Sequence, residues 1–585
     1  LTAWNDDDIT LADNSNFKKV VTGISGNIIG LKADGTVKYY NPDLDNWTLE
    51  SNIDTSHVTD LSGITDVFAF DKSFAALNDK GALTVWGDKG KEPDFTQIKD
   101  LVSDDNAAGD MFGVSVSIDN NYIVVGAHGN DDGGNATGSV YIFGKNEGGT
   151  NNWGQIKKLT ATDASANDNL GQSVCINGDY ILASAMGDDT LANNSGAVYI
   201  FHKDEGGVDN WGQLKKLLPT DNDISDYYAF GRSVDMYGDY IIVGASMTNI
   251  TGGILIFKKD YDPLTPNDIS SNAWGQLKKI TGSAAGNSHY SSYSIGIYED
   301  YIVMGSNYGA YIFQKDEGGP DNWGEIKKIY ESIQRFGGKV SIYKDYIIVG
   351  ASYEDYDGKS DSGAVYIYKK DYDPLTPNDI SSNAWGQLKK FTANDPSENA
   401  QFGIGFKMND EFIVVSAQEY TIDSGSIYIF KKNEGSIDNW SQIKKIKNSN
   451  GVLDDTLGYI LDIYNNTIIA GAFGRDDNGN ASGRAYIYEY DAGDGPNLLT
   501  DISSKASQLT SGVKSVTANS NVLIALKYDG TVVTLGNANN GGDISNTADQ
   551  YKLYGGTADN IEEVFLNDKF AVALKRDRTC IYWGD

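Results

Sequence analysis

Three short apolar runs and one mixed apolar and basic run alternate with polar stretches through most of the chain. The mixed run is the easiest to follow. WGQIKKLTA from Trp153 returns as WGQLKKLLP from Trp211, WGQLKKITG from Trp274, WGEIKKIYE from Trp323, WGQLKKFTA from Trp385 and WSQIKKIKN from Trp440. Runs of the type YIIVGA begin at Tyr122, Tyr180, Tyr240, Tyr301, Tyr346, Phe412 and Thr467, each followed by one of the type AVYIF. A further run opens each unit, Phe112 to Ile118 in the first. β-Branched and aromatic residues dominate these runs, and Gly, Asn and Asp bound them, which is the signature of strands. Four strands per unit, with 49 to 63 residues between successive tryptophans, fall in the range of propeller blades.

The seventh unit, Leu457 to Tyr490, has three runs but then reads DAGDGPNLLT where a Trp-led strand is due. A spare copy, FTQIKDLV from Phe95 to Val102, precedes the first unit. Moving it to the last blade removes an open sheet edge with its unpaired backbone groups. The expected fold is all-β: a seven-bladed propeller of four-stranded antiparallel blades over residues 95–494, with strand 95–102 completing the last blade.

Phe112-Gly113, Phe230-Gly231, Phe336-Gly337 and Phe402-Gly403, varied at Leu170-Gly171 and Leu457-Gly458, combine with Gly126-Ala127, Gly244-Ala245, Gly350-Ala351 and Gly471-Ala472. These pairs resemble FG-GAP repeats, the blades of the integrin α-subunit head and of many surface proteins. The resemblance implies an adhesive or structural role outside a cell. Integrin-type blades also hold calcium in a loop between their first and second strands. Here the corresponding connections, such as IDNNY and IYKDY, are too short to wrap an ion, and that site is expected to be absent.

Residues 1–94 and 495–585 follow another pattern. GLKADGTVKYYN near Gly30, ALNDKGALTVWGD near Ala76, ALKYDGTVVTLGN near Ala525 and ALKRDRTCIYWGD near Ala573 share a strand, a turn such as Ala33-Asp34-Gly35 or Tyr528-Asp529-Gly530, and a second strand. They resemble RCC1-type blades, and LTAWND at Leu1 reads as the tail of another. The propeller is thus expected to be inserted between RCC1-like segments that join each other, as a second, partial propeller or a stack of its blades. The resemblance implies nucleotide exchange as one alternative function, with nothing beyond the blade pattern to support it.

Charge narrows the partners. A net charge of -34 repels nucleic acid and anionic lipid, leaving basic surfaces, neutral glycans and cations. No apolar run nears the roughly 20 residues of a bilayer span, so no membrane insertion is expected in this segment. Two cysteines, Cys175 and Cys580, exclude a disulfide framework. His57, His128, His202 and His289 are scattered without metal-ligand spacing, and no nucleophile elbow or phosphate loop is present.

Acidic turns between second and third strands are the candidate metal residues: Asp131 and Asp132, Asp188 and Asp189, Asp355 and Asp357, and Asp476 and Asp477. Each could hold one Ca²⁺ through clustered oxygens, or could be a solvated turn bonding its own backbone. Otherwise no cofactor is expected. The polar stretch DNDISDYY from Asp221, and DYDPLTPNDISSNA repeated verbatim from Asp260 and Asp371, read as contact loops. The preferred function is a non-enzymatic adhesion or structural module on a cell or particle surface, part of a larger protein or assembly, binding a protein or glycan ligand or other subunits. The alternatives are a calcium-dependent receptor and a polysaccharide-acting enzyme or exchange factor.

Overall fold

The computed structural model describes residues 17–22, 28–33, 37–40, 63–69, 73–87, 94–220, 229–245, 252–261, 274–283, 292–307, 309–333, 335–372, 385–418, 425–432, 439–447, 456–491, 509, 511–518, 522–536, 561–566, 570–575, 578 and 580–584. DNDISDYY, LTAWND, the turn at Asp34-Gly35, His57, His289 and most of both DYDPLTPNDISSNA copies lie outside them. Contacts divide the chain into two compact units, Phe95–Tyr490 and the combination of Leu1–Asp94 with Asp491–Asp585.

Among the described residues, the first unit contains seven four-stranded antiparallel sheets, each strand paired with the next in sequence. Sheets one to six take their strands from 115–159, 170–217, 233–280, 295–330, 336–391 and 405–447. Sheet seven consists of Leu461–Tyr464, Thr467–Ala472, Arg484–Asp491 and, at its outer edge, Asp94–Leu101 from far upstream. The second and third strands are apolar through their middles because both faces are covered by neighbouring sheets; Ile241, Ile242 and Val243 have no exposed surface. First strands alternate, as Val116 and Ile118 pack while Ser115 and Ser117 face the other way. Fourth strands bury only their ends, and their middle lysines keep a lone edge polar.

Repeated contacts join each sheet to the next. Every motif tryptophan is 1% exposed, and five pack edge-on against the first residue of the preceding sheet's second strand: Trp211 on Tyr122, Trp274 on Tyr180, Trp323 on Tyr240, Trp385 on Tyr301 and Trp440 on Tyr346. Phe95 does the same on Phe412, with ring centroids 5.1 Å apart at 83°. The first lysine of the motif reaches the asparagine ahead of the next fourth strand, as Lys389 donates to Asn439 at 2.7 Å. Lys99 donates to Asn152 at 3.0 Å in the same way. An aspartate after each of several fourth strands accepts from the next sheet's tyrosine and lysine. Asp163 takes Tyr199 and Lys216, Asp395 takes Tyr428 and Lys445, and Asp105, beyond Leu101, takes Tyr141 and Lys158. Bonds of one kind therefore link sheet five to six, one to two, and seven to one.

The same junctions explain the glycine pairs. At Gly113 the chain turns with φ of 91°, and its carbonyl oxygen lies where a side chain on Gly471 would begin, 1.9 Å from an added Cβ. Gly126 and Gly171 repeat this approach between sheets one and two, at 2.0 Å. Phe112, fully buried, packs beside it against Tyr141 and Phe143. In sheets two and five the Leu-Gly or Phe-Gly pair lies inside the first strand, whereas in sheet one it precedes Ser115–Asp119. Gly471→Ala must push two backbones apart and is expected to lower stability by about 3 kcal/mol. An unchanged denaturation midpoint would show that the sheets can separate there freely.

The other unit contains, among the described residues, four three-stranded sheets: Phe17–Thr22 with Ile28–Lys32 and Val37–Tyr40; Ile64–Ala69 with Ser73–Asn78 and Leu83–Gly87; Val513–Ala518 with Val522–Lys527 and Val532–Gly536; and Ile561–Leu566 with Phe570–Lys575 and Cys580–Gly584. Ala75 and Leu83 share one core with Val513, Leu523 and Val533, and Val513 donates to the Gly81 carbonyl at 2.9 Å. The two flanks of the sequence thus contact each other. Lys19 bonds Asp66, and Ile524 packs with Ile561 and Val564, extending the stack at both ends. Tyr528-Asp529-Gly530 forms the hairpin turn, with Gly530 at φ of 84° and the Thr531 amide donating to Asp529.

Candidate functional site

Each of the seven first strands packs beside the next, and Leu461–Tyr464 beside Ser115–Asp119, so that together they surround a central channel. Pairing with the second strands puts Ser117, Cys175, Asp235, Gly296, Ser341, Lys407 and Asp462 at one level, each opposite the third residue of its neighbour. Two residues along each strand toward the first turn lie Asp119, Asn177, Tyr237, Tyr298, Tyr343, Asn409 and Tyr464. Tyr237, Tyr298 and Tyr343 form a continuous arc, with centroids 4.9 and 5.2 Å apart. Burial, and then the two flanking tyrosines, push the Tyr298 hydroxyl up to about 12, so it stays protonated at neutral pH.

Much of the middle level is tied to the wall. Asp462 accepts from the Ser117 hydroxyl at 3.0 Å, the Ile118 amide at 3.1 Å and the Ile463 amide at 2.9 Å. This closes sheet seven onto sheet one. Asp235 accepts from the Ile297 and Met236 amides and the Cys175 thiol. Burial pushes the Asp235 carboxyl up, opposed by Lys407 and these amides, and burial also drives the Cys175 thiol well up, which leaves it unreactive. Lys339 and Lys407 are different: neither has a hydrogen bond or ion pair among the described residues.

At the mouth a cleft of about 490 Å³ opens between sheets one, five, six and seven, lined by Asn120, Asn121, Lys145, Tyr343, Asn409, Asp410, Glu411, Tyr464, Asn465, Asn466, Thr467 and Glu489. Its charges are largely paired: Lys145 with Glu489 at 3.7 Å, Lys344 with Asp410 at 2.6 Å and Lys431 with Glu411 at 3.3 Å. Its amides are not. The side chains of Asn120, Asn121, Asn465 and Asn466, on hairpin turns of sheets one and seven, make no hydrogen bond within the described residues.

The acidic turns lie elsewhere, on the connections between second and third strands. Asp132 pairs with Lys158, and Asp131 is exposed beside it. Asp188 is buried and takes Lys216 at 2.7 Å, the Tyr199 hydroxyl and the Thr190 amide. Asp189 caps the Asn194 amide, Asp355 the Asp361 amide and Asp476 the Ala481 amide, while Asp357 stands exposed at φ of 52°. Asp477 is held by Arg475 and Arg484, which keep its carboxyl below the usual range. Among the described residues no three His, Cys, Asp or Glu side chains converge on a metal position. The turns between first and second strands fit no wrapped ion either, since Asp119 pairs with Tyr122 across only Asn120 and Asn121.

The tyrosine arc, the free amides and the channel lysines escape a reading that looks for motifs. The available signal is positional: the alternate residues of FGGKVSIY and GIGFKMN, aligned through YIIVGA and FIVVSA, place lysine where no other unit has a cation.

Six segments match the FG-GAP repeat: residues 95–143, 153–201, 211–254, 330–368, 385–430 and 440–488. Each begins in a fourth strand or one residue ahead of it and ends in the third strand of the following sheet, so the first of them takes in all of Asp94–Leu101 but its first residue. The chain therefore carries FG-GAP repeats, which are consistent with an adhesion or structural β-propeller module and are typically non-enzymatic. No curated protein matches the chain. No helix of the described residues is long and apolar enough to cross a membrane.

Proposed function

We propose that residues 95–490 form a seven-bladed β-propeller serving as a non-enzymatic adhesion or structural module on the surface of a cell or particle, within a larger assembly, with its ligand held at the channel mouth. We also read the sheets built from both flanks as RCC1-like blades. One contrast carries the reading. Side chains that repeat from sheet to sheet are used up in bonds to the next sheet, whereas Asn120, Asn121, Asn465 and Asn466 stand free beside Tyr464 and Tyr343.

Planar amides next to aromatic rings suit paired hydroxyls and C–H faces, the chemistry of a neutral glycan. The net charge of -34 argues against anionic ligands on the outer surface. Calcium is given no part in this binding, because Asp132, Asp188, Asp189, Asp355, Asp476 and Asp477 are engaged with backbone amides or with lysine or arginine.

The test is a glycan array probed with the full chain. Binding to neutral glycans is expected, weakened about tenfold by Asn121→Ala with Asn466→Ala, roughly the loss of one or two hydrogen bonds. The melting temperature of that variant should not move, and a chelator should leave binding intact. A blank array, binding untouched by the double variant, or binding abolished by the chelator would remove this reading.

A further inference from the structure

Beneath the mouth, the channel holds two positive charges with nothing bonded to them. Lys339, Ser341 and Tyr343 alternate along the first strand of sheet five and so share its channel face, with Lys407 on the adjoining strand of sheet six. The electrostatic neighbours of these amines are each other, Asp462 of sheet seven, Asp235 of sheet three and, for Lys407, Cys175 of sheet two. Both carboxylates already accept from backbone amides and from Ser117 or Cys175, and no lysine is among their partners. Ser341 is 6% exposed, and its hydroxyl also has no bond among the described residues. The nearby carboxylates are thus bonded to other donors, and neither amine has an acceptor bonded to it among the described residues.

We infer that Lys339 and Lys407, with the Ser341 hydroxyl as third donor, bind a small oxyanion inside the channel. Two ammonium groups left without acceptors in a partly dehydrated space are what a phosphate, sulfate or carboxylate group satisfies with charge-assisted hydrogen bonds. Burial and Lys407 pull the Lys339 amine down to about 8, against Asp462 and Asp235. Burial also works against the Lys407 charge, but the same two carboxylates hold it above the usual lysine range. Lys339 is thus the member of the pair whose charge the anion restores, and binding should fade as pH rises past 8. The site is separate from the amides of the mouth and does not depend on what they hold.

Sulfate is the probe, because it stays divalent throughout this pH range. Calorimetric titration of the full chain at constant ionic strength should show saturable binding to one site. Lys339→Gln and Lys407→Gln should each weaken it about tenfold or more, and pH 9.5 should weaken it in the parent protein. Competition by phosphate but not acetate would assign a tetrahedral anion, and equal competition by acetate a carboxylate. Selenate, located by its anomalous scattering in crystals, should sit between the two amines. Absence of saturable binding by sulfate, phosphate and acetate alike, binding unchanged in both variants, or selenate placed elsewhere would overturn the assignment.

Discussion

Deleting residues 95–102 is expected to abolish cooperative melting of the seven-sheet unit at its normal temperature, and Phe95→Ala to lower its stability by about 3–5 kcal/mol. Asp94–Leu101 is the outer strand of sheet seven, and its loss would leave Arg484–Asp491 with an unpaired edge. Phe95 is 2% exposed, wedged between Phe412 and Tyr490 with centroids 5.1 and 5.0 Å away. The strand also bonds sheet one from Lys99 to Asn152, and within sheet seven Arg484 bonds Asp100, between two strands that no short connection in the sequence joins. That junction is otherwise the weakest aromatic contact of the series, since Thr467 stands where six other sheets have Tyr or Phe. Fluorescence of the buried tryptophans during denaturation gives the measurement. A Phe95→Ala midpoint equal to the parent's would mean that the strand closes nothing.

Fold and site were legible to different degrees, for physical reasons. Backbone hydrogen bonding and two-sided burial leave their mark locally, so YIIVGA and AVYIF read as inner strands without further help. A missing fourth strand in the last unit and a spare one ahead of the first could be matched by counting. The glycine pairs were visible as a pattern, but their cause, the carbonyl of Gly113 occupying the place of a Gly471 side chain, is a contact between residues over 350 positions apart. Asp188 shows the opposite failure. An Asp-Asp turn has the composition of an ion loop, yet which atoms face its carboxylate depends on Lys216 from another strand and Tyr199 beside it. Lys339 was the least legible. A lysine after Gly-Gly reads as solvated until seven strands are arranged around one axis.

That lysine makes a second, quantitative expectation. Its amine titrates near 8 in the folded protein against an ordinary value of 10.5. For a base whose folded value is lowered, the folded state disfavours the charged form, so the cost is fully present below pH 8. Between 8 and 10.5 the unfolded chain binds more protons than the folded one, and the Lys339 contribution to stability rises with pH until the cost is gone. The side chain keeps part of its surface open to the channel, which reduces the nominal figure to about 2 kcal/mol at pH 7. Lys339→Met should therefore be more stable than the parent at pH 7 by about 2 kcal/mol. The difference should shrink steadily toward pH 10 as the parent loses its buried charge. Urea denaturation of both proteins at several pH values measures this, and the slope of the difference separates charge from any packing gain by methionine. Saturating sulfate should stabilise the parent and not the variant, closing the same gap from the other side. A difference that is constant from pH 7 to 10 would mean that Lys339 carries no cost of charge, and would leave its placement in the channel without energetic consequence.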